Sequence, residues 1–188
     1  MGMPNQLSPF YFLRHGKTQA NVDGLMCGGM WDIPLHQEGV IQAKDVAERL
    51  RRSAMVRPTA IYASPMVRTI QTAEIVASVF KLPVVTVDAL REWDLGNWDR
   101  VPFETVKNDF LGVSDPLGGE SRITFRARVL SALEVCAKNQ GLPFLVSHGG
   151  VGLFIQQILK ISPQRMENCA AYHFKHSAAD GWEMLSLL

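Results

Sequence analysis

The apolar run Phe10 to Leu13 gives way without transition to Arg14, His15 and Gly16. Two other apolar runs end in a similar way. Thr59 to Ala63 leads into Ser64 and Pro65, with Arg68 one turn inside the helical pattern that follows; Pro143 to Ser147 leads into His148, Gly149 and Gly150. Each guanidinium is a planar fork able to grip two phosphate oxygens, and a helix start adds backbone N–H donors and partial positive charge. Gathered into one crevice, two guanidiniums, two imidazoles and a helix N-terminus suit a phosphoryl group. A carboxylate would need fewer donors.

An imidazole in such a place can attack phosphorus. Neighbouring positive charge disfavours its protonated form and keeps a lone pair free near pH 7. One histidine would carry the phosphoryl group. The other, protonated or donating a hydrogen bond, would stabilise charge on the equatorial oxygens during transfer. The arginines can neutralise charge that other phosphoryl-transfer enzymes leave to magnesium, so neither a metal nor another cofactor is required. The leaving oxygen still needs a proton, and the segment LREWDLGNW, Leu90 to Trp98, offers the carboxyls of Glu92 and Asp94. Like-charge repulsion from bound phosphate pushes a nearby carboxyl towards its protonated form, as a general acid requires.

Competing chemistries lack their residues. SHGGVG, Ser147 to Gly152, has no G-x-S-x-G to supply a serine nucleophile, since GVSDP at Gly112 fails its last position. No G-x-x-x-x-G-K-[ST] is present, and Gly150-Val151-Gly152 lacks the third glycine of a dinucleotide fingerprint. His173 and His176, three apart on a strand, point to opposite faces and do not make a metal pair.

Residues at strand ends need a sheet to hold them. In open α/β sheets, ligands sit beyond the carboxyl ends of the strands. Pro9 to Leu13, Thr59 to Ala63, Val84 to Val87 and Pro143 to Ser147 read as strands buried on both faces, as in a largely parallel sheet. Helical periodicity lies between them. Val40, Ala43, Ala47 and Leu50 mark a helix over Gln37 to Ser53; Met66, Ile70, Ala73, Ala77 and Phe80 mark a second; Phe125, Val129, Ala132 and Cys136 mark a third. Ser64 is expected to cap the second helix, with Pro65 at its first position. AAYHF and WEMLSLL flank the turn signal Asp180-Gly181 and read as an antiparallel pair closing one edge. The expected class is α/β, with helices covering both faces of a mostly parallel sheet.

At 188 residues the chain suits one ordinary domain, spanning 1–188, able to bury a core without disulfides or structural metal. A formal net charge of +1 argues against a nucleic-acid partner, so any cationic site is local. Cys27, Cys136 and Cys169 are odd in number and lack a C-x-x-C, which suits reduced thiols used in packing. The start MGMPNQLS lacks the pattern of a signal peptide, and no apolar run approaches a membrane span. The expectation is a soluble cytoplasmic protein with a small-molecule partner and no membrane; a homodimer is compatible with the sequence.

The motifs also carry a likeness. LRHGKTQAN (Leu13 to Asn21) resembles the RHG signature of the histidine phosphatase superfamily, whose members have phosphoglycerate mutase-like folds, here a three-layer α/β/α sandwich with an antiparallel edge strand. SPMVRTIQTA (Ser64 to Ala73) resembles the superfamily's second-arginine motif, LREWDLGNWD its acid loop, GGES (Gly118 to Ser121) its pre-helix turn and VSHGG its second histidine. The resemblance implies that His15 is the nucleophile, that Arg14, Arg68 and His148 hold the phosphoryl group with Gly149 beside them, and that Glu92 donates the proton. Asn21, matching the asparagine that ends the first motif, would assist phosphate binding.

Lys17 and His36 depart from the pattern, where an acidic residue and a capping threonine are usual; a solvated loop lysine and a weaker helix cap are the simple readings. The implied function is a metal-independent phosphomonoesterase working through a phosphohistidine. A phosphoglycerate mutase and a non-catalytic phosphate-binding relative are the alternatives. Only about twenty residues separate the acid loop from GGES, enough for one short helix around Phe103 to Phe110, and the chain ends soon after its hairpin; a less enclosed pocket favours hydrolysis. TQANVDG (Thr18 to Gly24) is similar to a stretch of α-ribazole phosphatases, which makes α-ribazole phosphate one candidate substrate.

Overall fold

The computed structural model describes residues 7–138, 141–177 and 181–188. Its elements are β1 (Phe10–Arg14), α1 (Gln19–Val22), α2 (Gln37–Arg52), β2 (Ala60–Ala63), α3 (Val67–Phe80), β3 (Val84–Thr86), α4 (Phe103–Leu111), α5 (Arg122–Ala137), β4 (Pro143–Ser147), α6 (Gly149–Ile158), β5 (Ala171–His176) and β6 (Trp182–Ser186), with short 3-10 turns at Asp88–Leu90 and Gly96–Trp98. The strands form one sheet in the order β3-β2-β4-β1-β5-β6. β1 pairs parallel with β4, β4 with β2 and β2 with β3, whereas β5 runs antiparallel to β1 and β6 antiparallel to β5. The expected antiparallel pair thus closes one edge; Asp180 of its turn lies outside the described residues.

β4 and β1 occupy the middle of the sheet, which explains why their sequences are apolar throughout rather than alternating. Alternate side chains go to opposite faces. Tyr11, Leu13, Phe144 and Val146 join one core with Val46, Leu50, Val76 and Phe80 of α2 and α3. Phe10, Phe12 and Leu145 join the other with Phe125 and Val129 of α5 and Phe154 and Ile158 of α6. The result is the α/β/α sandwich that the sequence predicts.

Some expectations need correction. β3 is not buried on both faces, because it stands at the sheet edge: Val85 and Thr86 are exposed. Ser64 does not cap α3, and Pro65 is not its first residue. The helix starts at Val67, and its N-terminal donor is met from a distant loop, by the Val67 N–H donating to Asp32 Oδ1 at 2.9 Å. The sequence reading also missed α1, four residues long, where Thr18 and Asn21 form a reciprocal capping box. His36 does cap α2, its Nδ1 accepting the Glu38 N–H at 3.2 Å. Among the described residues no helix is long and apolar enough to cross a membrane.

The acid loop is anchored through Trp93, the fully buried neighbour of Glu92. Its ring stacks on Phe125 with centroids 5.4 Å apart and meets Trp98 and Phe154 edge-on, while Nε1 donates to the Glu120 carbonyl at 2.6 Å. Replacing Trp93 by alanine is therefore expected to lower folding stability by about 3–5 kcal/mol, the usual cost of deleting a large core aromatic. Urea denaturation measures it; a loss under about 1 kcal/mol would show that the ring does not anchor the loop.

Candidate active site

Sheet order brings the expected strand ends together. Arg14 pairs in register with Ser147, so the next residues, His15 and His148, become neighbours with ring centroids 5.2 Å apart. The next strand over, β2, delivers Ser64, whose N–H donates to the Val146 carbonyl at 3.1 Å. Arg68 follows in the first turn of α3.

His15 is oriented by its own loop. Its Nδ1 lies 2.7 Å from the Gly16 carbonyl. A carbonyl can only accept, so Nδ1 carries the proton and Nε2 keeps its lone pair. The Gly16 peptide is fixed in turn: its N–H donates to Thr72 Oγ1 at 3.1 Å, and the Thr72 hydroxyl donates to the Arg68 carbonyl at 2.8 Å. Burial, then the charges of Arg68 and Arg14, hold the His15 pKa well below 6.5. Burial, then the charges of Arg68, His15, Arg14 and Arg128, lower that of His148 in the same way.

Both guanidiniums are held by backbone carbonyls. Arg14 Nη1 donates to Met166 at 2.7 Å; Arg68 donates from Nη1 to Trp31 at 3.0 Å and from Nη2 to Gly28 at 3.3 Å and Cys27 at 3.5 Å. Neither Nε has a partner. Among the described residues four buried side-chain nitrogens or oxygens lack a hydrogen bond: Arg14 Nε, Arg68 Nε, His148 Nδ1 and His173 Nε2. Three of the four belong to this one cluster. A buried polar nitrogen left unpaired costs about 1–3 kcal/mol, so two guanidinium donors and a ring nitrogen together point to a polar ligand. His173 stands apart on β5, its ring 4.8 Å from that of Tyr11.

Glu92 closes the site. Its Oε1 accepts the Trp93 N–H at 3.0 Å and its Oε2 the Gly150 N–H at 3.1 Å. Burial raises its pKa above 4.5, an effect opposed by those two N–H groups and by the Arg68 and Arg14 charges. A Cβ at position 150 would meet Glu92 Oε1 at 2.5 Å, so any residue but glycine there would push the carboxyl from its place. A Cβ at Gly149 would press on Arg14 Nε at 3.3 Å. The helix start can approach both groups only because it is bare.

The remaining sequence candidates find defined places. Asn21 Oδ1 accepts from the Thr18 N–H, the Thr18 hydroxyl and Asn168 Nδ2 at 3.1–3.2 Å. That saturated carbonyl fixes the amide and leaves its NH₂ for a ligand. Asp94 Oδ1 accepts the Gly96 N–H at 3.1 Å, a loop-forming contact. Lys17 pairs with Glu38 at 2.6 Å, an exposed ion pair that occupies its charge. Among the described residues no cluster of His, Cys, Asp or Glu could hold a metal ion.

The profile of the histidine phosphatase superfamily (branch 1) matches residues 10–186. The chain belongs to this superfamily. A probable phosphoglycerate mutase, GpmB, of Proteus mirabilis is 32% identical over 194 residues, covering 92% of this chain and 88% of that protein. Among solved structures of the same fold, mycobacterial hydrolase 1 superposes with a TM-score of 0.79 at 25% identity, over 95% of this chain and 96% of its own. A mycobacterial glucosyl-3-phosphoglycerate phosphatase in complex with VO3 superposes with a TM-score of 0.77 at 26% identity, over 94% and 97%. Superfamily membership supports a catalytic activity of phosphatase or mutase type.

Two residues that brace these groups in this superfamily member carry no motif in the sequence. Asn168 donates to the His15 carbonyl at 3.0 Å as well as to Asn21; it lies in irregular chain with no motif around it. Arg128 clamps the acid loop, donating to the carbonyls of Ala89, Arg91 and Glu92 while paired with Glu120 at 2.6 Å. A signal existed there, since Arg128 sits between Phe125 and Val129 beside the apolar stripe of its helix.

The titration of the two histidines tests the electrostatics. Their folded-state pKa values lie below 6.5, so as pH falls through 6.5 the unfolded chain takes up protons that the folded chain refuses, and stability is lost in that direction. NMR of the ring nitrogens is expected to show both imidazoles still neutral at pH 6. Protonation of either with an ordinary midpoint would contradict the burial and charge account.

Proposed function

We propose that the chain is a metal-independent phosphomonoesterase that passes the phosphoryl group of a small phosphorylated metabolite first to His15 and then to water. The observation that carries this reading is the set of unpaired buried nitrogens on Arg14, Arg68 and His148, those of the arginines being donors, around an imidazole whose Nδ1 is committed to Gly16. Those donors suit the equatorial oxygens of a phosphoryl group, and His15 Nε2 has the lone pair to attack it. As the N–P bond forms, the ester P–O bond breaks and the leaving oxygen takes the proton of Glu92. The Glu92 carboxylate then accepts a proton from water as that water attacks phosphorus. The N–P bond breaks, inorganic phosphate departs, and His15 and protonated Glu92 are restored.

The positive charge the reaction needs is supplied by the two guanidiniums, which supports chemistry without a divalent ion. Support for water as the second acceptor comes from the chain between the acid loop and α5. It contains only α4, nine residues long. Arg122 ties the end of that helix down through the carbonyls of Asp109, Phe110 and Ser114. So short and fastened a segment favours exchange with solvent over retention of a sugar acid. The named phosphatase among the structural neighbours agrees with hydrolysis; the relatives named probable phosphoglycerate mutase make intramolecular transfer the outcome to test against it.

A panel of esters including α-ribazole phosphate, phosphoglycerates, sugar bisphosphates and nucleotides, assayed with EDTA, is expected to release inorganic phosphate from at least one. Loss of activity to the chelator, restored by metal, would exclude the mechanism. His15→Ala is expected to abolish both turnover and an acid-labile phosphoryl label on the protein. A label that survives the substitution would place the nucleophile elsewhere.

Glu92→Gln is expected to slow esters with poor leaving groups by about 10²–10⁴ and p-nitrophenyl phosphate much less. Because the Glu92 pKa is raised above 4.5, the alkaline limb of kcat/KM for poor leaving groups belongs to its loss of a proton. The substitution should remove that limb; an unchanged profile would assign the proton to another group.

A further inference from the structure

Ser64 sits where β2 ends, completely buried, and its hydroxyl oxygen lies 2.8 Å from His148 Nε2. The hydroxyl oxygen's other neighbour is the Met66 N–H, at 3.4 Å, which can only donate. Among the described residues, His148 Nε2 is thus the acceptor within reach of the hydroxyl hydrogen. If Nε2 carried a proton and gave it to Ser64, the serine would have two donors aimed at it and nowhere to send its own hydrogen. The hydrogen inventory closes only with Ser64 donating and Nε2 unprotonated. A neutral imidazole keeps one proton, so it sits on Nδ1, the buried atom of His148 that has no partner.

We infer that Ser64 is a positioning residue: by donating to His148 Nε2 it fixes the Nδ1–H tautomer and turns that buried N–H towards service as a donor to a phosphoryl oxygen. The two imidazoles then carry their protons on the same nitrogen but use it oppositely. His15 spends its Nδ1–H on the Gly16 carbonyl and offers a lone pair. His148 has its lone pair occupied by Ser64 and offers a proton. One ring serves as nucleophile and its neighbour 5.2 Å away as hydrogen-bond donor. The donor is neutral, so it stabilises the equatorial oxygens without adding a third cation beside the two guanidiniums.

This inference rests on the hydrolytic reading of the site for its purpose, but its first readout does not depend on turnover. In the wild-type protein, nitrogen NMR of the His148 ring is expected to report a protonated Nδ1 and an accepting Nε2; the opposite tautomer would overturn the inference without any variant being made. In Ser64→Ala the Nε2-protonated tautomer should appear, and the affinity for inorganic phosphate should fall on the order of tenfold, the loss of about one hydrogen bond. On a His148→Ala background the same substitution should change phosphate affinity no further. Equal losses on both backgrounds would mean that Ser64 acts by some route other than His148. An intact Nδ1–H tautomer in a protein that forms no phosphohistidine would support the role of Ser64 while sinking the hydrolytic mechanism.

Discussion

Two guanidinium groups, Arg68 wholly buried and Arg14 partly so, set the terms for everything else in this molecule. Removing a cation from solvent costs several kcal/mol unless its hydrogens are satisfied. Arg14 and Arg68 meet that cost with carbonyl oxygens rather than carboxylates: Met166 for one, Cys27, Gly28 and Trp31 for the other. Carbonyls hold a guanidinium without neutralising it. The net positive charge therefore survives burial, and its field adds to the larger effect of burial in disfavouring a proton on His15 and His148. A carboxylate partner in direct contact would have cancelled that charge and weakened the grip on anions. Asp32, the nearest such group to Arg68, stays 3.9 Å away and instead caps the helix on which Arg68 rides.

Glu92 shows the same balance from the other side. It receives two backbone N–H groups and lies within the field of both arginines, yet burial outweighs them and raises its pKa. The order of the strands makes this crowding possible. β1 and β4 are adjacent and parallel, so two strand ends and one helix start open at the same level, and the loop after β3 folds across them. Gly149 and Gly150 then let α6 begin within contact of Arg14 and Glu92. Each polar group sits where burial and a fixed neighbour together decide its protonation.

Much of this was legible in the sequence because strand ends announce themselves. A continuous apolar run that stops at Arg14-His15-Gly16 or at His148-Gly149-Gly150 reads as a central parallel strand delivering polar groups to one edge, and both runs are central strands. What sequence could not show were partners supplied from far along the chain. Ser64 followed by Pro65 has the local signature of a helix cap, but a hydroxyl can serve only what lies within reach, and β4 brings the ring of His148 closer than the helix backbone. Asp32 does the capping from 35 positions away. Asn168, isolated in irregular chain, reaches the His15 carbonyl across a separation of 153. The expected burial of β3 failed for a related reason, since edge and centre differ by topology and not by composition.

The loop of residues 27–31 and the helix bearing Arg68 hold each other in place. If that loop peeled away, three carbonyls would return to water and leave a wholly enclosed cation with almost nothing to bind. Such an opening is far costlier than ordinary loop fraying. Amide exchange across this segment should then proceed only through large-scale opening, so the pocket would be present whole or absent, with no half-assembled form to sample.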